Sequence, residues 1–238
     1  MNFAAAMKQA AIQYGMVLTA AQQQAFASYF ELLVEWNGKM NLTAITAPKE
    51  VAVKHMIDSL SCYHEKYFPT ECKVIDVGTG AGFPGLPLKI FRPDITLTLL
   101  DSLNKRLLFL QAVVDRLQLS QVRLLHSRAE DAAREKFLRE QYQIAVSRAV
   151  ARLNVLCELC LPFVAPGGYF IALKGARFRE EVAEAKGAIA LLGGEVADVY
   201  PVKLPETEDV RAVIYIKKQR NSPLQYPRKA GIPGKKPL

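Results

Sequence analysis

The segment Val74-Ile75-Asp76-Val77-Gly78-Thr79-Gly80-Ala81-Gly82-Phe83-Pro84-Gly85 restricts the fold more than any other part of the chain. An apolar run ends in an acid, and four glycines then fall within eight residues. Glycine accepts the positive φ of a tight turn and lets the main chain come close to a ligand. Pro84 suits the first turn of a helix, where its missing N–H is no loss. The pattern predicts a strand, a ligand-cradling loop and a helix, at the carboxyl edge of an open α/β sheet.

The rest of the chain agrees with such a sheet. Short apolar runs predict strands at 73–77, 95–101, 122–126, 143–147 and 168–173, with helices near 84–92, 104–118, 130–140 and 152–161 between them. That alternation argues for parallel strands covered by helices on both faces. A helix at 178–192 precedes strand-like runs at 195–203 and 210–217, and residues 204–209 between these runs allow a hairpin but no helical crossover. Five parallel strands followed by an antiparallel hairpin form the seven-stranded, Rossmann-like arrangement of class I methyltransferases. Before Lys73 the chain reads as helical. Phe26, Tyr29, Phe30, Leu33 and Trp36 recur at three and four residues from a Thr19 cap, Asn37-Gly38 ends that helix, and Pro48 opens another over 49–62. The expected organisation is therefore a helical appendage at 1–70, a ligand-binding domain at 71–218 and a basic arm at 219–238.

Charge isolates that arm. The net charge is +8, and residues 217–238 hold Lys217, Lys218, Arg220, Arg228, Lys229, Lys235 and Lys236 with no acid. Their prolines forbid a long helix. Two readings stand: a solvated, frayed end, or an arm that binds a polyanion. With 50% hydrophobic and 23% charged residues, the composition excludes a wholly disordered chain. No apolar run is long enough to span a bilayer, and Lys8-Gln9 interrupts the one stretch resembling a secretory signal. The four cysteines, Cys62, Cys72, Cys157 and Cys160, are too few and irregular for a disulfide framework and suit a reducing cytoplasm.

The glycine loop alone is ambiguous. Gly80-x-Gly82-x-x-Gly85 satisfies the dinucleotide fingerprint. Asp76, Gly78, Gly80 and Gly82 also satisfy the acid-x-Gly-x-Gly-x-Gly pattern that resembles the S-adenosylmethionine loop of class I methyltransferases. Asp101 ends the next strand, where a carboxylate can accept ribose hydroxyls of either cofactor. At the third strand end, Ala129-Glu130-Asp131 either meets an adenine edge or only favours a helix N-terminus.

A wider set of segments carries a family likeness. It comprises Trp36-Asn37 through Asn41-Leu42-Thr43-Ala44-Ile45, His55-Met56-Ile57-Asp58-Ser59-Leu60, the 76–87 loop and Arg128-Ala129-Glu130. It continues with Ser147-Arg148-Ala149-Val150-Ala151, Pro166-Gly167-Gly168 and Tyr226-Pro227-Arg228-Lys229-x-Gly231-x-Pro233. From about residue 36 onward the chain resembles the bacterial ribosomal RNA small subunit methyltransferase G family, also called glucose-inhibited division protein B. The resemblance implies transfer of a methyl group from S-adenosylmethionine to N7 of a guanine in the 530 loop of 16S rRNA. It also implies that Gly78, Phe83, Ala129, Glu130 and Arg148 line the cofactor site.

Guanine N7 carries a free lone pair, so such a reaction needs positioning and no general base. The fourth strand end, Ala145-Val146-Ser147-Arg148-Ala149, fits by what it lacks. It has neither the Pro-Pro-aromatic motif of amine methyltransferases nor the cysteine of carbon-5 enzymes. Arg148 is the one candidate catalytic residue, expected on the cofactor, a phosphate or guanine O6, or else in an ordinary ion pair. Cys157 and Cys160 read as core packing and no metal site is expected; His64 and His126 read as structural, while His55 and Asp58 stay open. Arg228, Lys229, Lys235 and Lys236 are the expected RNA contacts, joined by the appendage and by Arg106, Arg123 or Arg128. The expected partner is 16S rRNA or the small subunit, bound by a monomer with no membrane attachment. A small-molecule methyltransferase is the main alternative. A nicotinamide-dependent dehydrogenase and a non-catalytic RNA-binding factor are the others.

Overall fold

The computed structural model describes residues 2–238. Its centre is one seven-stranded sheet of β1 (Lys73–Val77), β2 (Thr96–Asp101), β3 (Val122–His126), β4 (Tyr142–Arg148), β5 (Val164–Lys174), β6 (Gly194–Val202) and β7 (Arg211–Lys218). The spatial order is β3-β2-β1-β4-β5-β7-β6. The first five strands run parallel, and β7 lies antiparallel between β5 and β6. Val74, Ile75 and Val77 of β1 and Ile144, Ala145 and Val146 of β4 are all buried, as strands covered on both faces must be. Strand order reverses between β1 and β4, which opens a crevice at their carboxyl ends.

The helices fall into two layers. α1 (Phe3–Gln13), α2 (Ala20–Met40), α3 (Pro48–Val51), α4 (Asp58–Leu60), α5 (Gly85–Phe91) and α6 (Asn104–Arg116) cover one face. α7 (Ala129–Ala132), α8 (Leu153–Cys160) and α9 (Phe178–Leu191) cover the other. The N-terminal helices have no separate core: Phe26, Tyr29 and Leu33 share an apolar cluster with Leu86, Leu97 and Phe109. Between α3 and α4 the helix widens into a π-helical turn, Ala52–Ile57, a feature that often accompanies functional sites.

Several elements differ from the sequence reading. α1 had no predicted counterpart. α2 runs through Gly38 to Met40, because its left-handed cap is Asn41 (φ 48°) while the Asn37 side chain accepts the Thr43 amide. The helix expected at 130–140 stops at Ala132. Beyond it the buried apolar positions are only Ala133 and Leu138, Phe137 faces solvent, and Arg139 donates to the Ala133 carbonyl.

The C-terminal segment is neither frayed nor extended. It folds back past Arg134 and Arg139 and over α8, ending in α10 (Ile232–Lys235). A proline-rich strap has few N–H donors, so its carbonyls need partners from elsewhere. Arg139 donates to the carbonyls of Ser222 and Tyr226 at 2.8 Å each. Fully buried Lys218 bonds the Leu161 carbonyl at 2.7 Å and also the Ser222 hydroxyl. Burial lowers its pKa to about 8, against the pull of nearby Glu140.

Candidate active site

The crevice holds two joined cavities. The larger, about 430 Å³, is lined by the loop residues Gly78, Thr79, Gly80, Ala81 and Phe83, by Asp101 and Arg106, and by His55 and Arg148. The smaller, about 140 Å³, lies among Leu100, Ser127, Ala129, Glu130, Val150 and Leu159. Gly78, Asp101, Ser102 and Val150 border both.

The loop is fastened from below. The Gly78 and Thr79 amides donate to the Leu100 carbonyl at 2.9 and 3.1 Å. Asp76 is fully buried, and its Oδ2 accepts from Thr79 Oγ1 at 2.7 Å and Gly85 N at 2.9 Å. Asp76 therefore secures the loop and does not line either cavity, contrary to the expectation of cofactor contact. Its Oδ1 is buried without a partner, and burial raises the carboxyl pKa to about 7. Gly82 also departs from expectation. A Cβ there would lie 2.6 Å from both Leu86 Cδ1 and Tyr29 Oη, so this glycine serves packing. Gly80 is the reverse case: its φ is +61° and a Cβ would meet nothing within 4 Å, so the cavity wall stays open there.

Asp101 is in the expected place, bordering both cavities. Its Oδ2 accepts from Gly80 N at 2.9 Å and Arg106 at 3.2 Å, and its Oδ1 from Leu103 N at 2.9 Å. Oδ1 thus keeps an acceptor position for a ligand hydroxyl. Ala129 and Glu130 border the smaller cavity, but Glu130 Oε1 already accepts the Gly231 amide at 2.9 Å.

Arg148 sits where a further cavity of about 250 Å³ meets the larger one, sharing His55, Arg148 and Ala149 with it. Its Nη1 donates to Asp58 Oδ2 at 2.7 Å and to the Lys54 carbonyl at 3.0 Å, and its Nη2 lies 3.3 Å from His55 Nδ1. The guanidinium stands 4.9 Å from the Phe83 ring centroid, and His55 stacks on the same ring at 4.7 Å. Burial, and then the charge of Arg148, lower the His55 pKa to about 4. The ring is neutral at pH 7. Its Nδ1 lies between the Arg148 guanidinium at 3.3 Å, which can only donate, and the Lys54 carbonyl at 3.1 Å, which can only accept, while Nε2 lies 2.7 Å from Thr43 Oγ1.

Of the expected RNA contacts, Lys229, Lys235 and Lys236 are exposed, as are Arg123 and Arg128. Arg228 is committed to Glu158 and is not free to clamp a phosphate. His64 stacks near Tyr200 and His126 bonds the Ser102 carbonyl. All four cysteines are free and buried, and Cys157 and Cys160 are on the core-facing side of α8. Among the described residues no group of His, Cys, Asp and Glu has metal-binding geometry, and no helix is long and apolar enough to cross a membrane. The sequence reading missed Lys54, Lys174, Glu181 and Arg211, which line the 250 Å³ cavity. Lys174 ends β5 and Arg211 begins the antiparallel β7, so both fall on the ligand edge of the predicted sheet.

Comparison with known proteins identifies the family. The family model for rRNA small subunit methyltransferase G matches residues 22–209. A Ribosomal RNA small subunit methyltransferase G of Desulforamulus reducens is 52% identical over 232 residues, covering 98% of this chain and 97% of its own. One from Clostridium beijerinckii is 47% identical over 238 residues, the whole of both chains. The chain belongs to the rRNA small subunit methyltransferase G family. Solved structures share the fold of this family member at low identity. A mutant of the 16S rRNA (adenine(1408)-N(1))-methyltransferase from Catenulisporales acidiphilia superposes with TM-score 0.53 and 17% identity, over 65% of this chain and 88% of that one. M. jannaschii TYW2 in complex with AdoMet gives TM-score 0.53 at 11% identity, over 69% and 76%.

The site of this methyltransferase G chain fits S-adenosylmethionine by its own chemistry. The joined cavities lie within the range of small-molecule sites, about 300–1,000 Å³. The open wall at Gly80, the Asp101 carboxylate and the apolar slot of Leu100, Ala129, Val150 and Leu159 suit a chain, a ribose and a purine.

Proposed function

We propose that this protein transfers the methyl group of S-adenosylmethionine to N7 of a guanine in the 530 loop of 16S rRNA. The observation that carries the reading is the junction at Arg148. There a nucleoside-shaped crevice along β1 and β2 meets a second, polar cavity large enough for a base. Membership of the family and the name its relatives carry support the substrate.

The cofactor, when bound, supplies an electrophilic methyl group on a sulfonium. Gly78, Gly80 and Asp101 hold the nucleoside, Phe83 covers it, and Ala129 with Glu130 borders its base. Guanine N7 needs no deprotonation, so rate enhancement rests on alignment in a water-poor pocket, worth about 7–11 kcal/mol at its upper end. Arg148 lies at the right place but is tethered by Asp58 and Lys54. The tether keeps the guanidinium off the N7 lone pair, which a bidentate guanine contact would occupy. Neutral His55 and Phe83 form an apolar shelf beside it.

The target base must leave its stack or already lie in a loop. Exposed Lys229, Lys235 and Lys236, with Arg128 at the smaller cavity and Arg123 exposed on β3, supply phosphate contacts on this reading. Four free buried thiols suit the cytoplasm. The test is transfer of labelled methyl to small subunits or 16S rRNA from cells lacking this protein, with the product mapped by reductive cleavage at N7. Labelling at one 530-loop guanine is the expected result; a label elsewhere, or none, overturns the reading.

A further inference from the structure

The 250 Å³ cavity beside Arg148 has polar groups that the protein leaves unsatisfied. Asp58 is almost fully buried, and Arg148 occupies only its Oδ2. The other oxygen, Oδ1, accepts no hydrogen bond among the described residues; a second cation, Arg211 Nε, stands 3.9 Å away. That Nε is itself buried without a partner. An unmet acceptor on an almost fully buried carboxylate costs about 1–3 kcal/mol or more, so Asp58 Oδ1, on the wall of this cavity, calls for a donor from a ligand. On the far side, Lys174 is already paired with Glu181 at 2.7 Å and with the Ala151 carbonyl at 2.8 Å, so its charge is spent.

The three groups on the open wall form a sequence. Arg148, bordering both this cavity and the cofactor crevice, is a donor; Asp58 Oδ1 is an acceptor; Arg211, bordering only this cavity, is a donor. A guanine whose N7 faces the cofactor crevice presents, moving away from N7, the O6 acceptor, the N1–H and N2–H donors and the N3 acceptor. The two patterns are complementary in that direction. Adenine presents an amino donor and then a bare N1, which opposes both Arg148 and Asp58.

Building on the proposed function, we infer that this cavity is the acceptor-base pocket and that Asp58 is its specificity determinant, accepting N1–H and N2–H of the target guanine. Asp58 therefore both tethers Arg148 and reads the base. Its position at the end of the π-helical turn brings the carboxylate under the wall.

The experiment uses small subunits assembled with 16S rRNA carrying either guanosine or inosine at the target nucleotide. Inosine lacks only the 2-amino group. For the unaltered protein, inosine should lower kcat/KM about 10-fold or more, the loss of one hydrogen bond to a charged acceptor. Asp58→Asn should lose most activity on guanosine, show no further loss on inosine, and bind S-adenosylmethionine in calorimetry within about twofold of the parent. Equal rates of the unaltered protein on both substrates would overturn the inference, and that arm needs no variant to fold. So would an Asp58→Asn protein that binds the cofactor and keeps the full guanosine preference. Absence of N7 methylation by the unaltered protein would instead defeat the proposed function.

Discussion

Arg228 closes on Glu158 across seventy residues of sequence: its backbone N–H, Nε and Nη2 all donate to one carboxylate, at 2.7, 2.9 and 2.6 Å. The Glu158 side chain is 1% exposed and that of Arg228 27% exposed. The pair pins the C-terminal strap to α8, and three residues further on Gly231 bonds Glu130 at the edge of the smaller cavity. Arg228→Ala keeps the backbone N–H but leaves the buried Glu158 charge without its guanidinium. Unfolding free energy should fall by about 2–4 kcal/mol, discounted for the solvent-exposed part of the arginine, as measured by urea titration. The same variant should weaken S-adenosylmethionine binding through Glu130. An unchanged cofactor Kd would mean that the strap only staples the fold.

The docked strap also changes how the basic end must be tested. Deleting it would strip partners from Arg139, Glu158 and Glu130 together, so lost RNA binding would say nothing about phosphate contacts. Lys229, Lys235 and Lys236 are exposed and can be changed without that damage. Replacing all three with alanine should reduce the salt dependence of rRNA binding by about 2 in log–log slope. Cofactor affinity and melting temperature should stay put. If the slope does not move, the phosphate contacts lie elsewhere.

Two glycines of one loop should fail in opposite ways. Gly80→Ala places a methyl in open cavity, so cofactor Kd should rise about tenfold or more, with about 1 kcal/mol lost to the positive φ. Gly82→Ala drives a methyl into Leu86 and Tyr29, and overpacking of that kind costs about 1–3 kcal/mol. Calorimetry and denaturant titration on the two proteins separate the roles. Equal cofactor affinities would remove Gly80 from the site.

The sheet was readable because its central strands are buried on both faces and so appear as short apolar runs stopped by an acid or glycine. Gly80 and Asp101 were readable for the same reason, since a strand end and its loop fix where the ligand edge must be. What escaped was pairing at a distance. Composition shows that Arg228 is basic but not that Glu158 waits for it, so a docked strap looked like an arm. Nothing in Ala52–Ile57 announces the π-helical turn that sets Lys54, His55 and Asp58 around Arg148. Asp76 and Gly82 match a ligand motif in sequence, yet the fold spends one on fastening and the other on packing.

Asp76 and His55 pull stability in opposite directions between about pH 4 and pH 7. Burial raises Asp76 from 3.8 to about 7, so the folded chain holds a proton that the unfolded chain has released; its contribution is full below about pH 4 and is lost as pH rises through 7. Burial lowers His55 from 6.5 to about 4, so the unfolded chain takes up a proton that the folded chain refuses; stability from this group is lost as pH falls from 6.5 to 4. Asp76→Asn keeps an oxygen for Thr79 and Gly85, places an amide at the unpartnered Oδ1, and removes one of the two opposing titrations. Unfolding free energy of this variant, measured in urea from pH 4.5 to 6.5, should rise with pH more steeply than that of the parent. The difference should approach one proton, about 1.4 kcal/mol per pH unit. Parallel curves for the two proteins would show that Asp76 is ionised in the folded state throughout this range.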